Sequence, residues 1–324
     1  MVVIAGCGGY VPLYRIDREA IAEQHGGRGS GESAVPGRDE NHVTMAVEAA
    51  ELAVERAAVD ELDAVVSASI TDPFAEHGIA AHVAYRLGAT GEVRTADFRA
   101  SGRAGTDALA FARDFVRARD GTVLVVAADV LPVEPGHDDE PYAGAGAGAA
   151  VLAPDAEEPA ATITAVGEAT TGFVERHRLH DGVATGGDGR FEREAGFGPA
   201  VSAAIERSGV DDPDRAVVAA HDARMASGAV EDASHESTFG SVGYAGAASY
   251  YLDLAHCLEE ADAGESVVAV AYGPGGADAV ALETGTTADV GLTVAEQLDS
   301  KEYVTYAKHL EYRERTEYTG VTVA

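Results

Sequence analysis

The sequence predicts an α/β fold, a duplicated α-β-α-β-α sandwich with pseudo-twofold symmetry. Helical periodicity alternates with apolar strand-like runs, which is typical of layered α/β domains. The same order of helix, turn and strand occurs twice along the chain. The inner strand of each copy is apolar along nearly its whole length, as expected where helices cover both faces of a sheet. With 324 residues, the chain is long enough to bury a large core.

The repeat is visible in the order of the segments. Residues 43–69 combine apolar residues at helical spacing, the turn VDELD and the apolar run AVVSAS, and residues 196–221 show the same order. A second pair, 101–130 and 243–272, joins a small-residue helix start, an amphipathic helix, a turn and a buried strand, and a glycine-rich strand follows each member. These boundaries predict an N-terminal half over 1–158, a C-terminal half over 159–285, and a tail over 286–324 that packs on the core.

The charge of the chain restricts its partners. Fifty-five acidic residues against 23 basic ones give a net charge of −32. Such a field repels nucleic acid and anionic membranes, so neither is expected as a partner. The composition indicates a halophilic protein, because molar salt shortens the Debye length to about 3 Å and screens the self-repulsion. An acidic protein of a mesophile is the alternative.

Cysteine use and apolar run lengths indicate a cytoplasmic location. Cys7 and Cys257 are the only cysteines and no CxxC motif is present, which favours a reducing compartment over a disulfide or zinc framework. No His, Cys and Asp residues have metal-ligand spacing, so no metal is expected. No window approaches the roughly 18 apolar residues of a membrane span, and the N-terminus resembles a first strand rather than a signal peptide.

Five segments carry the motifs of one known family: GCGGYVPLYRI (6–16), ESAVPGRDENHVTMAVEAA (32–50), GAGAGAAVLA (144–153), TTGFVERHRLHDGVATGGDGRF (170–191) and KEYVTYAKHLEYR (301–313). Together they resemble the archaeal type of hydroxymethylglutaryl-CoA synthase, within the thiolase superfamily. The resemblance implies a thiolase-like fold and a homodimer joined edge to edge through the central sheets. It also implies coenzyme A esters as substrate or ligand, with no covalently bound cofactor.

The resemblance further implies where the catalytic residues stand. In that family a cysteine is acylated, a glutamate acts as general acid and base, and a histidine holds the carbonyl of the second acyl-CoA. Aligned without a gap, ADFRASGRAGT places Gly102 at the cysteine, and SASITDPFA places Ile70 at the glutamate. Glycine has no nucleophile, so an acyl-enzyme at this position is excluded in that register.

One of the four polar catalytic positions of the family, the histidine, is retained, and two further residues of a family turn are kept. AAHDARM keeps His221, and GSVGYAGA keeps Tyr244 and Gly246. His221 is interpreted either as an oxyanion donor to an acyl-CoA carbonyl or as a core histidine, and Tyr244 either as a hydroxyl acid or as a packing residue. Ser101 is either a substitute nucleophile or the cap of the following helix.

Candidate ligand-binding residues surround this place. Arg99 and Arg103 are interpreted either as ligands of a carboxylate or a coenzyme A phosphate, or as members of ordinary ion pairs. Gly273, Gly275 and Gly276 form either a cradle for a ligand or a turn that only glycine can make.

Three functions remain open from the sequence. The first is carbon–carbon bond chemistry on acyl-CoA without an acyl-cysteine. For this enzyme the resemblance implies a separate zinc-ribbon/OB-fold protein as a partner, beside a thiolase. The second is a non-catalytic scaffold or regulatory subunit that assembles with active thiolase-fold partners. The third is the hydroxymethylglutaryl-CoA synthase reaction itself, in the mevalonate pathway, which requires a cysteine that the aligned segment lacks.

Overall fold

The fold is described from a computed structural model that covers residues 1–180 and 182–314. The strands are β1 Val2–Tyr10, β2 Tyr14–Asp17, β3 Glu32–Val35, β4 Ala64–Ser69, β5 Arg94–Arg99, β6 Val123–Val130, β7 Ala145–Ala153, β8 Ala161–Thr170, β9 Arg215–Ala219, β10 Ser234–Glu236, β11 Ser266–Gly273, β12 Gly276–Thr284 and β13 Glu302–Tyr303. The α-helices are α1 Arg18–His25, α2 His42–Ala57, α3 Ile79–Arg86, α4 Ala104–Arg119, α5 Gly189–Phe191, α6 Gly198–Ser208, α7 Ala223–Ala226, α8 Phe239–Val242, α9 Ala248–Glu260, α10 Val294–Asp299 and α11 Tyr306–Glu314. A π-helical turn spans Glu192–Phe197.

The main sheet has ten strands in the order β10-β9-β11-β12-β8-β1-β7-β6-β4-β5. Its two halves have the same topology, three parallel strands followed by two antiparallel ones, and they join where β1 pairs antiparallel with β8. The predicted duplication is therefore confirmed: α2 and β4 correspond to α6 and β9, and α4 and β6 correspond to α9 and β11.

Alternation along the strands builds the layers. In β6, Val123 and Val125 belong to the central core together with residues of α4 and α9. The intervening Leu124 and Val126 face the outer core under α2 and α3. Successive strand residues point to opposite faces of a sheet, so each half of the sheet is covered on both sides. The C-terminal half has its own outer core, under α6. The five predicted layers are confirmed.

The chain after β12 packs back on the N-terminal half. β13 pairs with β2 in a small second sheet, β13-β2-β3, and Tyr312 of α11 packs in a small core with Ile16 and Val35. Tyr306 donates a hydrogen bond to Glu140 at 2.8 Å. The predicted tail thus contacts the core through residue 314, and its part after that residue lies outside the described residues. The predicted boundaries between the halves fall in the loop between β7 and β8 and stay predictions.

The described helices were considered as possible membrane spans. Across residues 1–180 and 182–314, no helix combines the length and apolar character that crossing a membrane requires.

Candidate functional site

The ends of several elements meet at one place between the two halves. Loops that follow β4, β6, β9 and β11 converge there with the first residues of α4 and α9. Helix starts expose unpaired N–H groups and a partial positive charge, and no side chain caps α4. Such an edge is where an α/β protein positions polar side chains against a bound anion or carbonyl.

Gly102 lies buried just before α4, and its surroundings leave no room for a side chain. A Cβ atom there would stand 2.9 Å from the Tyr244 hydroxyl and 2.9 Å from the Tyr272 carbonyl oxygen. Ser101, one residue earlier, accepts a hydrogen bond from the Arg103 backbone N–H at 3.2 Å. This bond engages the Ser101 hydroxyl in the turn before α4 and does not cap the helix itself, whose N-cap is Arg103, so both interpretations of Ser101 stay predictions.

Tyr244 presents a free hydroxyl to this place. Its backbone is fixed by two hydrogen bonds, from its N–H to the Tyr142 carbonyl at 2.7 Å and from the Gly144 N–H to its own carbonyl at 2.8 Å. The side chain is buried, and burial raises the pKa of the hydroxyl. Because its pKa is raised, the hydroxyl is protonated at neutral pH. No described residue hydrogen-bonds to it, so it is available as a donor.

His221 follows β9 and faces Tyr244, with their ring centroids 6.4 Å apart and the planes at 72°. Its Nε2 atom lies 3.5 Å from Oε2 of Glu192. Burial lowers the pKa of His221 to about 4, and the positive charge of Arg176 acts in the same direction. The imidazole is therefore neutral at pH 7 and can accept a proton.

Glu192 is a site residue that the sequence analysis missed. It begins the π-helical turn and is 5% exposed. Its Oε1 atom accepts a hydrogen bond from the Tyr272 hydroxyl at 3.2 Å, and burial raises the pKa of its carboxyl. The only sequence feature that marks Glu192 is its position directly after the Gly-Arg-Phe of the family-like segment.

Ile70 follows β4 and carries no acid, but a buried carboxylate holds its loop. Asp129, at the end of β6, is inaccessible to solvent. Its Oδ1 atom accepts from the Ile70 N–H, the Thr71 N–H and the hydroxyls of Ser69 and Thr71, all within 2.6–2.8 Å. Its Oδ2 atom accepts from the Ala247 N–H at 2.7 Å. One carboxylate thus ties the β4 loop to the start of α9 across the two halves.

The two arginines that flank Gly102 are engaged within the protein. Arg103 makes a bidentate pair with Asp278, at 2.9 Å from Nε and 2.6 Å from Nη2. Arg99 pairs with Asp72 at 2.9 Å and donates to two backbone carbonyls. The structure therefore supports the ion-pair interpretation of both residues, and their role as ligands of a phosphate stays a prediction.

The predicted glycines serve close packing in this structure. Gly246 has a φ of 58°, and a Cβ there would meet Oδ2 of Asp129 at 2.3 Å. A Cβ on Gly273 would meet the Gly102 N atom at 2.9 Å, while Gly275 and Gly276 have φ of 96° and 153° in the β11–β12 turn. These positions exclude side chains for backbone reasons, which supports the interpretation of Gly275 and Gly276 as a turn.

A cavity of about 960 Å³ opens beside His221 and Glu192. A small cavity of about 20 Å³ adjoins it, lined by Tyr244 and His221. Gly102 lines neither cavity. Across residues 1–180 and 182–314, no group of three or more His, Cys, Asp or Glu side chains is placed to hold a metal ion. His177 and His180 are exposed.

The chain is similar to known proteins along nearly its whole length. No family model matches the chain. The hydroxymethylglutaryl-CoA synthase of Archaeoglobus fulgidus is 31% identical over 97% of this chain and 99% of that protein. The synthase of Methanothermobacter thermautotrophicus is also 31% identical, over 97% and 98% of the two chains.

Solved structures share the fold at lower identity. MvaS in complex with 3-hydroxy-3-methylglutaryl coenzyme A superposes with a TM-score of 0.79 at 21% identity, over 96% of this chain and 91% of that chain. The 3-oxoacyl-(acyl carrier protein) synthase III FabH of Pseudomonas aeruginosa gives 0.77 at 24% identity, over 89% and 99%. The thiolase-like fold inferred from the motifs is thus confirmed. The 31% identity to the two archaeal synthases extends over 97% of this chain and shows common ancestry with them. By its sequence, this chain belongs to the hydroxymethylglutaryl-CoA synthase family.

Proposed function

We propose that this protein binds acyl-CoA in the cavity beside His221 and acts on carbon–carbon bonds of the acyl group without an acyl-cysteine. The observation that carries the proposal is the placement of a neutral imidazole and a free tyrosine hydroxyl at adjoining cavities, while Gly102 is enclosed and has no nucleophile. Two fold neighbours are described in complex with 3-hydroxy-3-methylglutaryl coenzyme A and with CoA, which supports a coenzyme A ester as the ligand.

The cysteines of the chain do not supply the missing nucleophile. Cys7 lies in β1 and Cys257 in α9, both in the central core. Burial raises the pKa of each thiol to about 12, so the reactive thiolate is scarce at neutral pH. With Ile70 at the position proposed for the glutamate, the synthase reaction of the family lacks two of its groups here.

Calorimetric titration in molar KCl with acetyl-CoA and acetoacetyl-CoA tests the proposal. We expect binding of at least one ester, and weaker binding by His221→Ala, because the imidazole lines the cavity that is proposed to hold the acyl group. His180→Ala is the matched control, because His180 is solvent-exposed. No heat with either ester at millimolar concentration refutes the proposal and favours the scaffold function, in complex with active thiolase-fold partners. Condensation of the two esters by the purified protein would instead restore the synthase function.

We further propose a homodimer that joins through β5. Among the described residues, this strand is the edge of the ten-stranded sheet and pairs only with β4, so its outer N–H and C=O groups have no strand neighbour there. Phe98 of β5, together with Phe111 and Phe115 of α4, is only half-buried. Light scattering in molar KCl is expected to give twice the chain mass of 33.2 kDa, and a monomer refutes the proposal.

The acidic composition supports function in a halophilic archaeal cytoplasm. The net charge of −32 destabilises a compact state through self-repulsion unless salt screens it. We expect the midpoint of thermal unfolding to rise steeply between about 0.1 and about 2 M KCl, because the Debye length falls over this range from about 10 Å to below about 3 Å. A midpoint that is independent of KCl contradicts a halophilic origin.

A further inference from the structure

A buried carboxylate faces the imidazole at the cavity wall. Glu192 opens the π-helical turn, a rare conformation that is frequent at functional sites. The turn directs Oε2 toward Nε2 of His221 at 3.5 Å. On its other side, the carboxylate accepts the Tyr272 hydroxyl, and the Tyr272 ring is held edge-on by Phe197 at 5.1 Å between centroids. The carboxylate is therefore positioned by packing.

The other acidic groups near His221 are already engaged. Asp139 forms an ion pair with Arg176 at 2.8 Å. Asp222 caps α7 and pairs with Arg224 at 3.3 Å. Among the described residues, Glu192 has no arginine or lysine within ion-pair distance, and the one titratable base at that distance is the imidazole of His221. The groups that face the imidazole are Arg176, Asp139, Asp222, Glu192 and Tyr244.

We propose that Glu192 and His221 work as a carboxylate–imidazole pair that removes a proton from the α-carbon of a bound acyl-CoA. This inference rests on the proposed function and names the acid–base group of that site. His221 is the catalytic residue, and Glu192 is a positioning residue that acts through it. The pair takes the place of a carboxylate at position 70, where Ile70 offers none.

Removal of the α-proton by His221 needs neither a metal nor an oxidant. The α-C–H bond breaks and an imidazole N–H bond forms, while the electron pair of the C–H bond becomes the enolate of the thioester. Glu192 stabilises the imidazolium, and the free hydroxyl of Tyr244 donates to the enolate oxygen. The enolate is then the carbon nucleophile of a condensation, and the reverse sequence serves a cleavage.

The first test is independent of any ligand. We would follow the titration of His221 by NMR in molar KCl and assign its signal by its absence in His221→Ala. Glu192→Gln removes the negative charge beside the ring and is expected to lower the pKa of His221 by about one unit, since an opposite charge within a few ångströms shifts a pKa by roughly 1–3 units. Glu194→Gln is the matched control, because Glu194 lies on the same turn but pairs with Arg190 at the surface. Equal pKa values in Glu192→Gln and Glu194→Gln overturn the pair.

The second test measures the proton transfer itself. Acetyl-CoA is incubated with the protein in D₂O, and deuterium in its methyl group is measured by mass spectrometry. We expect exchange above the protein-free rate, a loss of about 10²–10⁴-fold in His221→Ala, a smaller loss in Glu192→Gln, and partial recovery in Glu192→Asp. Calorimetric binding of acetyl-CoA without any exchange overturns this inference and leaves the proposed function standing. An absence of binding refutes the proposed function, whereas the NMR titration still decides whether Glu192 and His221 form a pair.

Discussion

Replacing Gly102 by alanine tests whether the Tyr244 hydroxyl fills the space before α4. The backbone of Gly102 is outside the left-handed region, so alanine is conformationally allowed and gains about 0.4–1 kcal/mol by restricting the unfolded chain. Its Cβ, however, would stand 2.9 Å from both the Tyr244 hydroxyl and the Tyr272 carbonyl oxygen. Overpacking of this kind costs about 1–3 kcal/mol. We therefore expect a net loss of about 1–2 kcal/mol in the free energy of unfolding.

A double-mutant cycle isolates the contact with Tyr244. Tyr244→Phe removes one of the two close atoms and, because the hydroxyl has no hydrogen-bond partner among the described residues, breaks no bond there. Combined with Gly102→Ala, it is expected to recover about 0.5–1 kcal/mol, within the range measured for residues in contact. Urea unfolding in 2 M KCl measures all four proteins. Strict additivity of the two substitutions would show that Tyr244 does not occupy this space, and would leave only the Tyr272 carbonyl oxygen close to the added Cβ.

Three further substitutions test the buried charges. Asp129→Asn keeps one carbonyl oxygen but turns an N–H donor toward the Ala247 N–H, and we expect a loss of about 2–4 kcal/mol from one charged hydrogen bond and one orphaned donor. Asp278→Asn leaves the Arg103 guanidinium, whose side chain is 15% exposed, without its counter-charge, and we expect a loss below the roughly 3–5 kcal/mol of a fully buried pair. Burial raises the pKa of Asp253 to about 7 in the folded protein, above its value of 3.8 in the unfolded chain, so the folded state binds this proton more tightly. The stability that this group contributes is present below about pH 4 and is lost as the pH rises through 7, and Asp253→Asn should remove that part of the pH dependence.

An exposed ion pair provides the control for Asp278→Asn. Asp114 is paired with Arg113 but 65% exposed, so Asp114→Asn should change the urea midpoint little, as exposed pairs contribute about 0–1 kcal/mol. An effect of Asp278→Asn as small as that of Asp114→Asn would contradict the buried pair. For Asp253, the measured quantity is the difference between the unfolding free energies of wild type and variant from pH 4 to 8. A difference that is constant with pH would show that Asp253 does not carry the raised pKa.

Local sequence patterns were sufficient for the fold. The apolar run Val123–Val130 and the helical spacing around Ala104–Arg119 depend on neighbours in the chain, and a duplicated order of such segments leaves few arrangements that cover every apolar face. The start of α4, two residues after Gly102, was predictable for the same reason. His221 and Tyr244 were found because each stands in a motif that the family shares.

Tertiary structure alone decided which side chains meet at the site. Glu192 and His221 come from a π-helical turn and a strand end with no common periodicity, and Arg103 meets Asp278 across the two halves. The sequence left Arg103 open between a phosphate ligand and an ion pair, because a charged residue near a helix start satisfies either description. The bidentate contact with Asp278 favours the ion pair, since a charge largely removed from water needs a partner at hydrogen-bond distance. Which partner is near is fixed only when the two halves close around α4 and α9.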